Sequence, residues 1–155
     1  MMKFKNLWAA FLLYLFLLSS ALASTITISI ADGPGEGFND PTYGASRLAL
    51  FNHAAGLLEP HINSDVEIIV SAKFDGLFCD ASSATLGQAG PTNIAYDFAE
   101  AATTDLIYPL ALANALHGSD LSPGVADIDA TFNSNIDSGA CLGGQTWYYG
   151  FDEPP

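Results

Sequence analysis

Two stretches with an apolar residue at every second position, separated by one long helical pattern, constrain this chain most. Ile26, Ile28 and Ile30 alternate with Thr25, Thr27 and Ser29, a period of two that makes a strand with one apolar face. Val66, Ile68, Val70, Ala72 and Phe74 repeat the pattern, with Glu67, Ser71 and Lys73 opposite and Ile69 interrupting. Between them Leu48, Phe51, Ala55 and Leu58 recur at steps of three and four, the stripe of a helix that buries one side. The spacing predicts a helix from Gly44 to Leu58, capped by Thr42 or Ser46. Pro60 ends it, because the residue before a proline leaves helical space. Strand, long helix and strand in this order fit a right-handed crossover between parallel neighbours. The expected class is α/β (α+β), a twisted mixed sheet with a long crossover helix.

The first 23 residues stand apart from this fold. Lys3 and Lys5 precede an apolar run from Leu7 to Leu18, and Ala21-Leu22-Ala23 supplies small residues. This is the pattern of a secretory signal peptide, with cleavage expected after Ala23. The run is shorter than the roughly 20 residues that span a bilayer. The expected product is secreted, extracellular or periplasmic, with no membrane attachment and one domain over 24–155. Removing Lys3 and Lys5 leaves Arg47 and Lys73 as the strong bases against 17 acids, and moves the formal charge from −13 to about −15. A chain this acidic cannot grip nucleic acid through its phosphates, and anionic lipid repels it. Half of the residues are hydrophobic, so the acidity is not a mark of disorder.

The remaining motifs are sparse. In an exported chain Cys79 and Cys141 are expected to form a disulfide, with two buried thiols as the alternative. Asp32, Glu36 and Asp40, with Asn39, lie in the glycine- and proline-rich segment DGPGEGFNDP. Hard oxygens of this kind suit calcium, although the spacing is not that of an EF-hand loop and a plain turn is the simpler reading. His53 and His61 are eight apart, where a helical metal pair needs about four. His117 closes a second helix, Leu110 to Leu116, between Pro109 and Gly118. A short third strand is expected around Ala84 and Leu86.

Downstream, Ile128, Ala130 and Phe132 face one way, and Asp127, Asp129, Thr131 and Asn133 the other, a half-buried strand with a wet acidic side. Two carboxylates on one face of a strand read as a solvated edge more readily than as an acid–base pair. Trp147, Tyr148 and Tyr149 follow Cys141 and read as core, with a substrate platform as the alternative. No GxSxG occurs, and the sequence offers no catalytic or cofactor-binding residue.

Several segments come in a recognisable order: DGPGEGFNDPT (Asp32 to Thr42), ATLGQAGPTNI (Ala84 to Ile94), YPLALANAL (Tyr108 to Leu116), DATFNSNI (Asp129 to Ile136) and CLGGQTWYYGFD (Cys141 to Asp152). Together they resemble the N-terminal part of secreted bacterial zincin-type metallopeptidase-like proteins, which often carry a protease-associated domain. The resemblance implies a zincin-like N-terminal subdomain, a peptide or protein substrate, and zinc held by an HExxH helix in full-length relatives. No HExxH occurs in this sequence. The chain is therefore expected to be a truncated front portion, inactive as a peptidase, with no cofactor of its own and with apolar surface exposed. Within this picture Asp129, Thr131 and Asn133 mark a sheet edge on which an extended peptide would lie. The competing reading is a complete extracellular module that binds a glycan, a peptide or a calcium-dependent surface partner.

Overall fold

The computed structural model describes residues 24–139 and 141–151, so the signal-peptide reading falls outside the described residues. The fold is mixed α/β. In chain order it runs β1 (Ile26–Ile30), α1 (Gly44–Leu58), β2 (Ile68–Asp75), β3 (Gly87–Pro91), β4 (Ile94–Ala95), β5 (Tyr108–Pro109), α2 (Leu110–His117) and β6 (Ile128–Asn133). The main sheet has the order β1-β2-β6-β3. β1, β2 and β6 are parallel, and β3 joins β6 antiparallel. β4 and β5 form a separate two-stranded ribbon ahead of α2.

The alternation read from the sequence becomes rows across the sheet. Ile28, Val70 and Ile128 are in register, then Ile30, Ala72, Ala130 and Ala89, then Phe74, Phe132 and Gly87. These rows form the face toward α1. Phe51 of α1 meets Phe132 edge-on at 5.3 Å, and Phe38, on a short 3-10 turn before α1, meets Phe74 edge-on at 5.2 Å. Edge-to-face rings at this separation contribute beyond the area they bury. The aromatic centre thus sits at the carboxyl ends of β2 and β6.

The turn after β1 is fixed by Asp32. Its carboxylate accepts the Phe38 N–H at 2.6 Å and the Phe74 N–H at 2.9 Å, tying turn to sheet. Gly37 lies at φ 55°, and a Cβ there would meet the Asp32 carboxylate at 2.0 Å, so only glycine fits. The start of α1 is capped differently from the expectation. Neither Thr42 nor Ser46 caps it; the Asp40 carboxylate accepts the Thr42 and Tyr43 N–H groups, each at 2.8 Å.

Two further expectations are corrected. The third strand lies at Gly87–Pro91, not around Ala84 and Leu86. Its glycines and proline read as breakers, but an edge strand tolerates both. The strand of Asp129, Thr131 and Asn133 is not a sheet edge: β6 is paired on one side by β2 and on the other by β3. Nor is its polar side wet throughout. Asp129 is exposed, but Asp127 and Asn133 are buried, because the adjoining loops close over both ends of the strand. The Asp127 carboxylate accepts the Ile69 N–H and the Asn114 amide, each at 2.8 Å.

Asn133 shows what such burial requires. It is fully buried; its side-chain oxygen accepts the Leu77 and Asn135 N–H groups, and its amide donates to the Phe78 and Thr85 carbonyls. Asn133→Ala strands those four backbone groups, and each unsatisfied group costs on the order of 1 kcal/mol or more. A loss of about 3 kcal/mol or more is expected in urea denaturation, with a still larger loss for Asn133→Asp, which turns a carboxylate toward two carbonyls.

Candidate functional site

α1 carries an arginine in the very stripe that faces the sheet. Arg47 is 6 % exposed, and a buried guanidinium must have partners for its donors. Its Nη2 donates to Asp137 at 2.7 Å, its Nη1 to the Gly37 carbonyl at 2.7 Å, and its Nε to the Tyr149 hydroxyl at 2.9 Å. The guanidinium carbon lies 4.1 Å from the centre of the Phe74 ring, a cation–π contact. Tyr149 in turn donates to Asp137 at 2.5 Å. The second Asp137 oxygen accepts the Trp147 N–H at 3.1 Å, and the Trp147 indole donates to the Asn133 carbonyl at 2.9 Å.

The electrostatics follow from this closure. Burial works against the Arg47 charge, yet the Tyr149 and Asp137 contacts hold the guanidinium above its ordinary range. Burial, then the bond to Asp137, pushes the Tyr149 hydroxyl well above the usual tyrosine range, against the pull of Arg47. The cluster is a clamp: every oxygen and nitrogen in it is occupied by another part of the chain.

What the clamp holds is a strap. The segment after Cys141 crosses α1, with Tyr149 beside Tyr43 at 5.9 Å and Phe151 edge-on to His53 at 5.0 Å. Cys79 and Cys141 are joined, as expected, with their Cα atoms 5.6 Å apart. The bridge anchors the start of the strap to the loop after β2. Between strap, helix and sheet lies a cleft of about 180 Å³, lined by Phe38, Leu50, Phe51, Ala54, Phe74, Phe132 and Trp147, with Arg47 and Tyr149 at its side. Its walls are almost wholly apolar, so it suits an apolar side chain and not a charged group. Leu57 and Leu58, at the end of α1, are left more than half exposed.

Beside the cleft runs the free edge of the sheet. Asn133 N–H donates to the Leu86 carbonyl, and Thr92 N–H donates to the Asp127 carbonyl. In an antiparallel pair the bonded positions alternate, so Leu86, Gln88, Gly90 and Thr92 turn their backbone toward β6. Gly87, Ala89 and Pro91 turn theirs outward. The natural proline fits this parity, since it has no N–H to offer. Among the described residues the outward N–H and C=O groups of Gly87 and Ala89 therefore have no partner strand, at an exposed edge one residue pair from the Phe132 wall of the cleft. The opposite edge is blunted: on β1 the outward N–H of Ile26 is taken by the Glu59 carboxylate at 2.9 Å.

The residues singled out in the sequence are not brought together as a metal site. Asp32 and Asp40 spend their carboxylates on the backbone groups described above, and Glu36 accepts the Gly33 N–H at 3.1 Å. His53 packs on Phe151, while His117 pairs with the exposed Glu100 at 3.0 Å. Among the described residues no three His, Cys, Asp or Glu side chains gather closely enough to hold an ion, and no helix is long and apolar enough to cross a membrane. Of the aromatic run, Trp147 and Tyr149 are half-buried with their polar atoms bonded inward, Tyr148 is exposed, and all three line the cleft, a position between core and platform. Arg47, Asp137 and the edge at Gly87 and Ala89 were not singled out. An arginine at a core-facing helical position was the available signal for the first. Comparison with protein-family models, with curated proteins and with solved structures yields no match to this chain.

Arg47→Met removes one member of a buried pair and leaves the Asp137 charge uncompensated, so a loss of about 3–5 kcal/mol in denaturant unfolding is expected. Adding Asp137→Leu should recover part of it, giving a double-mutant cycle far from additive. The raised Tyr149 pKa adds a pH dependence. A proton held more tightly in the fold contributes stability that is complete below about pH 10, the free tyrosine value, and is lost as pH rises beyond it. Tyr149→Phe should therefore flatten the alkaline fall of the urea midpoint.

Proposed function

We propose that this chain is the peptide-holding scaffold of a zincin-type metallopeptidase domain, the portion that seats an extended substrate and not the portion that carries zinc. The sequence resemblance suggests the family. The observation that carries the reading is the antiparallel edge strand β3, with its outward N–H and C=O groups at Gly87 and Ala89, running beside an apolar cleft. An extended peptide adding to this edge gains backbone hydrogen bonds from these two residues, and alternate side chains then fall to one side of the sheet. One such side chain, large and apolar, fits the cleft at Phe132 and Trp147. The edge role thus moves from β6, where Asp129, Thr131 and Asn133 lie, to β3.

The half-covered helix supports the same reading. α1 leaves Leu57 and Leu58 exposed and an open cleft along its sheet side, the surface of a scaffold with room for one more packing layer. The zinc that the resemblance implies for full-length relatives has no donor set among the described residues, so no step is assigned to it here.

Ala89→Pro removes one outward N–H and leaves the ladder to β6 intact. It should weaken binding of an extended, aromatic-containing peptide by about tenfold or more, one lost backbone hydrogen bond plus poorer fit, measured by calorimetry. Equal affinity in wild type and variant would refute the edge. The isolated chain is expected to leave peptides uncut when zinc is added. Hydrolysis that a zinc chelator abolishes would overturn the scaffold reading.

A further inference from the structure

Two residues ahead of β1 lies a buried polar atom with no partner among the described residues. Ser24 is 2 % exposed, and its hydroxyl oxygen is buried with no hydrogen-bond partner. Buried hydroxyls in this state are rare, since each one forfeits its bonds to water. Ser24 is also the residue that follows the expected cleavage point.

The edge geometry says what belongs there. The Thr25 carbonyl accepts the Ile68 N–H, and the Ala31 N–H donates to the Ala72 carbonyl. Odd-numbered positions of β1 thus turn their backbone toward β2, and even-numbered ones turn outward. Ile26 follows this rule, and its outward N–H is held by the Glu59 carboxylate at 2.9 Å. The nitrogen of Ser24 is the next outward position, roughly 7 Å along the same edge. It therefore stands on the side where Glu59 already sits. The other charged groups on the turn between α1 and β2 are His61, Asp65 and Glu67, and Glu67 is occupied by the Thr27 hydroxyl.

We propose that the mature chain begins at Ser24 and that its new α-ammonium group pairs with Glu59, completing the β1 edge. The processing step is hydrolysis by a signal peptidase. Water gives its hydroxyl to the Ala23 carbonyl carbon and its proton to the departing Ser24 nitrogen, which then takes up a second proton. The ammonium brings three donors to the edge where the Glu59 carboxylate and the orphan Ser24 hydroxyl lie. Because Ser24 is buried in the folded sheet, cleavage must come before β1 docks against β2. The inference rests on the signal-peptide reading and is independent of the peptide-scaffold reading.

The test uses the chain exported from a secreting host. N-terminal sequencing should return Ser24 first; any other first residue overturns the proposal. Glu59→Gln keeps an oxygen for the Ile26 N–H and loses only the charge. The wild type should melt higher than this variant at pH 7, where the amine is charged. The gap should close by about pH 9.5, above the free α-amine value near 8. An ammonium held by a carboxylate gives stability that is full below its free pKa and lost above the raised one. A gap that does not change with pH means that Glu59 serves only Ile26, and the proposal fails. Should the variant not fold, the α-amine of the wild-type protein decides alone. Titration above about 8, followed by NMR, supports the pairing, and titration at the free value overturns it.

Discussion

One buried cation organises the half of this molecule that carries the cleft. Arg47 has four partners drawn from four parts of the chain: the turn before α1, the end of β2, the segment after β6, and the strap. A buried guanidinium needs partners for its donors, and the three nitrogens of Arg47 are bonded to three separate segments, which ties those parts into one arrangement. Hydrophobic burial alone would accept several ways of laying an aromatic strap across a helix. The planar fork of the arginine accepts far fewer. The cleft keeps its shape because the side chain at its flank has no freedom left.

The sheet distributes its edges unequally. On β1 a carboxylate holds one outward group, the Ile26 N–H, while β3 has glycine and alanine at its outward positions and a proline at their end. Exposed edges invite pairing with other chains, and this one is short, which limits the hazard. The shortness and the small side chains also let another backbone approach closely. With so few free groups the strand is a poor nucleus for a growing sheet.

The sequence was most legible where periodicity was strong. α1 and β6 fall on the expected residues because their apolar spacing belongs to a helix in one case and a strand in the other. β3 was hard to see because Gly87, Gly90 and Pro91 carry no apolar rhythm, and its strand state comes from pairing with β6, not from its own composition. The paired state of β6 was likewise invisible, since a period of two reports faces and says nothing of neighbours. Asp127 and Asn133 looked solvated because their residue types are; only the loops folded over them make them buried. The bridge between Cys79 and Cys141 was foreseeable from their number and the leader pattern, but its role in tethering the strap needed the topology. The site itself was obscure because Asp137 and Tyr149 meet Arg47 across 90 and 102 positions of chain.

The covalent link between Cys79 and Cys141 makes a ring of everything between them, and that ring contains β3, the β4–β5 ribbon, α2 and β6. It also contains the exposed loop in which Asp97, Glu100 and Asp105 all adopt left-handed backbone. A cut in that loop opens the ring without parting the molecule. Both pieces would stay together, held by sulfur and by the sheet, and would separate only after reduction and unfolding. Such a chain can be nicked at an exposed turn and still keep its edge strand, its cleft and its strap in one body.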